Sequence, residues 1–375
     1  MKHSLYAISL TSALMLHTPN SYALEINSVN ELSNELNDKY VQVEILGTSF
    51  GAGPEMILFE DFSYGKEGDQ VGLDLALFGN WSASSDYTGI PRYAAHEGDL
   101  AMSIHDFGKP SLNRIAQLEA ILPDKTNDIF LSYSVRVPEG RYFSGATDDF
   151  TFPNVSSWKF TWIADGIGAI GSTTRFNLCT PTHIGSGNFM LQGNSGGLGY
   201  IQVRDNWSWH GKNYFSFGQI PDNDNPTTSN GMVHWSHISE KGSKLSINSD
   251  SPVMPLGVTE QFDRVKFPGW FGNGDYSNFD AYYDDIYVAI GDNALARVVL
   301  SDARDINQST QLITLPVISW ASNKITLKIN RQLLEDNILP VFLHVHDREN
   351  NHTVVEFTNE NKPKPPAGLS VDSAT

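Results

Sequence analysis

Ile129-Phe130-Leu131-Ser132-Tyr133-Ser134-Val135-Arg136-Val137 is rich in β-branched and aromatic residues and is bounded by Asp128 and Pro138. Such a run between turn-forming residues reads as a β-strand. The same texture extends on both sides. From Ile57 to about Asp302, Gly, Asn, Asp, Ser and Pro recur every 8–15 residues. Between them lie short β-rich or alternating runs, among them Trp158 to Ile163, Tyr200 to Val203 and Ile286 to Ile290. Aromatic residues are frequent and helical periodicity is nearly absent. The pattern predicts an all-β jelly roll or β-sandwich over residues 57–305.

The chain has 375 residues, and its two ends read differently from this middle. Lys2 and His3 precede an apolar run from Leu5 to Leu16, and Ser21-Tyr22-Ala23 supplies small residues for cleavage. Residues 1–23 read as a secretory signal peptide, too short for a membrane anchor. The protein is therefore expected to be secreted or periplasmic. No later stretch approaches the length of apolar residues a membrane span needs. Residues 24–56 read as a leader. Ser28-Val29-Asn30-Glu31 forms a capping box, with Val29, Leu32 and Leu36 on one helical face, so one short helix is expected there. Gly51-Ala52-Gly53-Pro54 reads as a linker.

A second texture begins near Gln311. Leu312 to Trp320, Lys324 to Ile329, Val341 to His346 and Thr353 to Phe357 read as short strands of a small immunoglobulin-like β module over 311–358. An independent module predicts that its deletion leaves a soluble sandwich. Residues 359–375, with Lys362-Pro363-Lys364-Pro365-Pro366, read as a disordered tail.

The chain carries 25 Lys+Arg against 43 Asp+Glu, a net charge of −18. Such a surface repels nucleic acid and anionic membranes. An acidic ligand would therefore need a locally basic groove. Cys179 is the only cysteine, so no internal disulfide can form; it reads as a small buried hydrophobe.

Three further segments carry a family resemblance. Phe59-Glu60-Asp61-Phe62, followed by Gly65 and Trp81, resembles the first strand of concanavalin A-like lectin/glucanase sandwiches, a superfamily that includes many polysaccharide lyases. Tyr283-Asp284-Asp285-Ile286-Tyr287-Val288 resembles their last core strand. Ala296-Arg297-Val298 with Ile318-Ser319-Trp320-Ala321-Ser322-Asn323-Lys324-Ile325-Thr326 resembles the C-terminal extension of some secreted members. The resemblance implies that the two end strands lie side by side. It also implies a structural Ca²⁺ held by Glu60, Asp61 and Asp284 or Asp285, hard oxygen donors of the kind Ca²⁺ takes. It implies extracellular polysaccharide as the partner.

The Glu-x-Asp-x-x-Glu strand of the family's glycoside hydrolases is absent, so two carboxylates flanking a glycosidic bond are not supplied that way. Gly193-Asn194-Ser195-Gly196-Gly197 looks like a protease nucleophile loop. Asn194 stands where an acid normally does, and the glycines fit a tight turn.

A lyase needs groups that neutralise a uronate carboxylate, remove the C5 proton and protonate the leaving oxygen. The middle of the chain concentrates these types. Lys159, Arg175, His183, His210 and Tyr214 are the candidate catalytic residues. Trp162, Gln192, Trp207, Trp209, Trp235 and His237 are the candidate substrate-binding residues. Three readings stay open: a polysaccharide lyase, a glycan-binding or adhesion protein without catalysis, and a structural surface component.

Overall fold

The computed structural model describes residues 23–32, 39–83, 89–96, 99–104, 116–137, 157–164, 175–181, 189–193, 196–201, 206–208, 211–220, 232–248, 261–269, 281–335 and 341–357. In chain order the first strands are β1 (Glu25–Glu31), β2 (Tyr40–Thr48), β3 (Glu55–Glu60), β4 (Ser82–Ala83), β5 (Arg92–His96), β6 (Asp99–Ser103), β7 (Leu118–Thr126) and β8 (Ile129–Arg136). The middle holds β9 (Ser157–Ala164), β10 (Arg175–Pro181), β11 (Phe189–Gly193), β12 (Gly196–Ile201), β13 (Asn213–Ile220), β14 (Met232–Ser239), β15 (Gly242–Asn248), β16 (Phe262–Phe267) and β17 (Tyr282–Ile290). The last are β18 (Arg297–Ser301), β19 (Leu312–Thr314), β20 (Val317–Ala321), β21 (Lys324–Asn330), β22 (Val341–His346) and β23 (His352–Phe357). The helical elements with described bounds are a 3-10 turn, Ile306–Gln308, and a short helix α1, Arg331–Glu335.

The fold is all-β, a jelly-roll-type sandwich of antiparallel sheets. One sheet has the order β12-β11-β10-β9-β16-β7-β4, and the other β15-β14-β13-β8-β17-β6-β5 with β3 added against β17. Alternation along the strands fills the space between them. Leu118, Ala120 and Leu122 of β7, Phe160 and Ile163 of β9, and Val265 and Phe267 of β16 meet Leu131, Tyr133 and Val135 of β8 and Phe215 and Phe217 of β13. The Tyr283 hydroxyl crosses the core and donates to the Phe160 carbonyl at 2.9 Å, tying the two sheets together. The two end strands expected to be neighbours are so: Glu60 of β3 pairs with Ile286 of β17, and Leu58 with Val288.

The other two sheets build a second, smaller sandwich. Their orders are β1-β2-β21-β20 and β19-β18-β22-β23. Val29, Val41, Val43, Ile45, Ile325, Leu327 and Ile329 pack against Val298, Leu300, Ile313, Val341, Leu343 and Val345. The sheet containing β18 and β19 lies on the outer face of the eight-stranded sheet, where Ser132 Oγ meets Thr314 Oγ1 at 2.8 Å. Gly218 lies close against Leu295 and Phe130: a Cβ there would come 2.3 Å from the Leu295 side chain, which would have to shift.

Two expectations change here. Residues 28–31 lie in β1 rather than a helix. Val29 at 5% exposure joins the second core, and Val41, Val43 and Ile45 of β2 follow the strict alternation of a strand with one buried face. That burial outweighs a local capping signal. The second consequence concerns the 311–358 unit. It shares its sheets with β1, β2 and β18, and β2 is the direct neighbour of β21, pairing from Tyr40↔Asn330 to Leu46↔Lys324. Residues 1–22 of the expected signal peptide and the whole of the expected tail, 359–375, lie outside the described residues.

Candidate functional site

The seven-stranded sheet turns its other face away from the core. On β16, Phe262, Val265 and Phe267 are buried inward. The alternate residues Arg264 and Lys266 therefore point the opposite way. Register extends these positions across the sheet. Lys266 pairs with Glu119 of β7 and with Trp162 of β9, Trp162 pairs with Asn177 of β10, and Asn177 pairs with Gln192 of β11. Two residues along, a second row runs Ile121, Arg264, Ala164, Arg175. Two register rows thus bring three basic residues, a tryptophan and two amide residues to one region of one sheet.

The described part of these rows is an ion network. Glu119 Oε2 accepts from Arg264 Nη1 at 3.0 Å, and Glu119 Oε1 lies 3.2 Å from Lys266 Nζ. Arg264 Nε also donates to Asp263 Oδ1 at 2.7 Å. Lys266 Nζ stands 5.4 Å from the centre of the Trp162 ring, a cation–π distance. Burial opposes the charge on Arg264, and Asp263 and Glu119 overcome it, so the guanidinium titrates above its ordinary value. Lys266 and Trp162 are each 1% exposed and form the floor of this region, while Ile121 beside them is 43% exposed.

The residues expected from sequence divide into groups. Trp162 and Gln192 fall on one register row, and Arg175 on the next. Lys159 pairs with Cys179 while Arg175 pairs with Ala164. The two are thus five residues apart along β9, about 16 Å of backbone, and do not sit side by side. His183, Trp209 and His210 lie outside the described residues.

Three expected sugar platforms are instead interior. Trp207 (1% exposed), Trp235 (3%) and His237 (0%) face into the sandwich. Phe215 pairs with His237 and Phe217 with Trp235, and inward parity carries all four together. His237 stacks on Trp207 with centroids 6.0 Å apart and sits 3.2 Å from Asn213 Oδ1. Burial lowers its pKa to about 3, so it is a neutral core residue at physiological pH. Tyr214 has the opposite parity on β13 and packs with Ile238 into the second core, on the far side of the molecule from the row of Lys266. It cannot serve chemistry on the seven-stranded sheet. Arg264, Lys266 and Glu119 are absent from the expected set, although Phe262-Asp263-Arg264-Val265-Lys266-Phe267 carries the signal of basic residues alternating with apolar ones.

Of the four acids expected to hold Ca²⁺, Asp61, Asp284 and Asp285 border one cavity where β17 changes partner. Tyr282 and Tyr283 pair with β6, while Ile286 to Ile290 pair with β3. Asp284 and Asp285 stand at that switch, beside a register irregularity against β8, and Asp285 has φ +52°. Glu60, next to Asp61 on the chain, accepts at Oε1 from the Phe62 amide at 2.6 Å. Asp61 accepts from the Tyr40 hydroxyl, from the Ser63 amide at 3.1 Å and from Asn330 Nδ2 at 3.3 Å. Burial and the neighbouring Asp61 push the Glu60 pKa up to about 8.

Lys212 Nζ enters this group, 2.6 Å from Asp284 Oδ2 and 3.5 Å from both Asp285 Oδ2 and Asp99 Oδ2. Among the described residues no set of three or more His, Cys, Asp or Glu is arranged to hold a metal ion. As placed, the acids do not fit a Ca²⁺ shell, which needs six to eight oxygens at 2.3–2.6 Å around an empty centre. Asp61, Asp99, Asp284, Asp285 and Lys212 open onto a cavity of about 450 Å³ between the two sandwiches, bordered also by Lys39, Arg136 and Gln332.

No protein-family model matches the chain, and no curated protein matches it. Among solved structures, the chain is similar to the PL-14 alginate lyase from Aplysia kurodai, with 12% identity over 54% of this chain and 87% of that one and a TM-score of 0.38. It is also similar to the alginate lyase vAL-1 from Chlorella virus, with 14% identity, 60% and 100% coverage and a TM-score of 0.36. A third is a prokaryotic β-1,3-1,4-glucanase from a mouse hindgut metagenome, with 15% identity, 62% and 97% coverage and a TM-score of 0.31. Likeness at this level carries no residue-level argument. No helix among the described residues is long and apolar enough to cross a membrane.

Proposed function

We propose that this protein is exported and binds extracellular polysaccharide along the outer face of the seven-stranded sheet, and that it cleaves uronate-containing glycans there by β-elimination. The observation that carries the reading is the pair of register rows that collects Arg175, Arg264 and Lys266 with Trp162, Asn177 and Gln192. On a chain of net charge −18, a local collection of cations is what a polyanion requires. In this reading Arg175 and Arg264 neutralise the uronate carboxylate, which acidifies the C5 proton. The amides of Asn177 and Gln192 bond sugar hydroxyls, and Glu119 fixes Arg264 and Lys266 in place. His183 or His210 takes the C5 proton, since an imidazole titrates near neutral pH; the C4–O bond breaks as the C4=C5 double bond forms, and the leaving oxygen takes a proton from that imidazolium or from water.

The alternative is a glycan-binding protein without catalysis. The specific observation in its favour is that Glu119 already neutralises Lys266 and shares Arg264. One assay separates the two. Absorbance near 235 nm is followed with a panel of uronate polysaccharides, alongside a reducing-end assay and a binding measurement. Unsaturated product that disappears in Arg175→Gln supports the lyase. New reducing ends without absorbance mean hydrolysis, and binding with neither leaves the non-catalytic protein. No binding to any glycan in the panel would overturn both.

A further inference from the structure

We propose that Lys212 is the built-in cation of this fold, its ε-ammonium holding β6, β17 and the start of β13 together at the position where a divalent metal is expected. The ammonium reaches carboxylates from two strands. Asp99 belongs to β6, and Asp284 and Asp285 to β17, with Nζ···O distances of 3.5, 2.6 and 3.5 Å. Lys212 itself stands one residue before β13. One side chain therefore joins three separate parts of the eight-stranded sheet at the point where β17 passes from β6 to β3.

Its stem is well covered, with the side chain 17% exposed, while Asp284 and Asp285 are 6% and 9% exposed. Acids this buried need a cation close by. The ammonium occupies the space between these carboxylates, 2.6 to 3.5 Å from Asp99, Asp284 and Asp285. Asp61 is held by Tyr40, Ser63 and Asn330, and Asp285 Oδ2 is also met by Ser134 Oγ at 3.3 Å. A lysine also differs from a metal in kind. It is covalently part of the chain, so the joint forms with folding and cannot be stripped by a chelator. The chain has a single cysteine and so no internal disulfide, and this ion cluster is a covalent-free fastening suited to that lack.

The inference is independent of any glycan chemistry, and its test reads the fold alone. The purified full chain is dialysed in calcium-containing buffer and then in calcium-free buffer, its metal content is measured, and its melting temperature is recorded with calcium and with EGTA. The expected result is no stoichiometric calcium and the same melting temperature in both conditions. Retained calcium at one ion per chain, or a melting temperature lowered by EGTA and restored by calcium, overturns the proposal. The charge itself is read with two variants. Lys212→Met keeps the stem and removes the ammonium, and should lower the melting temperature on the order of 10 °C. Lys212→Arg keeps a cation and should fall well short of that loss. A Met variant as stable as the wild type overturns the proposal; if the Met variant does not fold, the Arg variant and the metal measurements still decide it.

Discussion

His237 offers the sharpest link between geometry and a measurable free energy. Its ring is fully buried between Trp207 and Phe215, with centroid distances of 6.0 and 4.7 Å. Burial lowers its pKa to about 3 in the folded chain, against roughly 6.5 in an unfolded one. The depressed value means that the unfolded state binds more protons, so this residue favours folding above pH 6.5 and that advantage is lost as pH falls toward 3. At pH 5 an unfolded imidazole is protonated about thirty to one while the folded one is almost wholly neutral, and RT ln 30 is about 2 kcal/mol.

The perturbation is His237→Phe, which keeps a stacked ring and removes the titration. Other groups, Glu60 among them, titrate alike in both proteins and cancel in the difference. Urea unfolding of both at pH 8 and pH 5, followed by tryptophan fluorescence, should show the variant gaining about 2 kcal/mol on the wild type at the lower pH. With an m-value of about 3 kcal/mol/M that is a change of roughly 0.7 M in the gap between midpoints. An identical gap at both pH values would refute the reasoning, because it would mean that His237 takes a proton inside the fold.

Lys266→Met leaves Glu119 buried with Arg264 alone, and should lower stability by about 3 kcal/mol in denaturant unfolding; an unchanged midpoint would show the pair to be solvated. Trp207→Ala removes a core side chain, with an expected loss of about 3–5 kcal/mol and unchanged glycan affinity in whatever remains folded; selective loss of affinity with full stability would return Trp207 to the binding surface. Deletion of residues 311–357 strips β2 of its partner β21 and uncovers Val41, Val43 and Ile45. That truncation should be insoluble or aggregated by size-exclusion chromatography, and a soluble monomer would refute the shared second sandwich.

How much of this was legible in the chain depends on whether the governing signal is local. Ile129 to Val137 and Ile286 to Ile290 could be read as strands, since each is a short apolar run between turn formers, and both lie in ladders of the eight-stranded sheet. Gly193-Asn194-Ser195-Gly196 read as a tight turn, and Gly193 pairs directly with Gly196 across the β11–β12 hairpin. β1 was not legible, because Ser28 and Glu31 satisfy a helix-capping pattern that competes with a strand whose partner, β2, is reached only after the intervening residues. Parity is the commoner obstacle. Which face of β13 and β14 turns inward depends on which sheet covers each side. Without that knowledge, Trp207, Trp235 and His237 look like a platform and Tyr214 like a general acid.

The two polar clusters follow one physical rule from opposite starting points. Lys212 neutralises Asp284 at the strand switch, and Glu119 neutralises Arg264 and Lys266 on the seven-stranded sheet. In the first, one ammonium faces three carboxylates, which leaves an acidic residue like the rest of the surface. In the second, Arg264 and Lys266 share Glu119 and Asp263, and the register row of Arg264 also passes through Arg175, within a chain that is strongly negative. A site that departs from the charge of its own protein must be held there by specific partners, because the global field works against it. The rows of Arg264 and Lys266 meet that requirement, with a tryptophan beneath the lysine and a carboxylate between the two cations. Of the two clusters, it is this one that the proposed reading needs for an acidic glycan, while the lysine-filled switch has the composition of a joint.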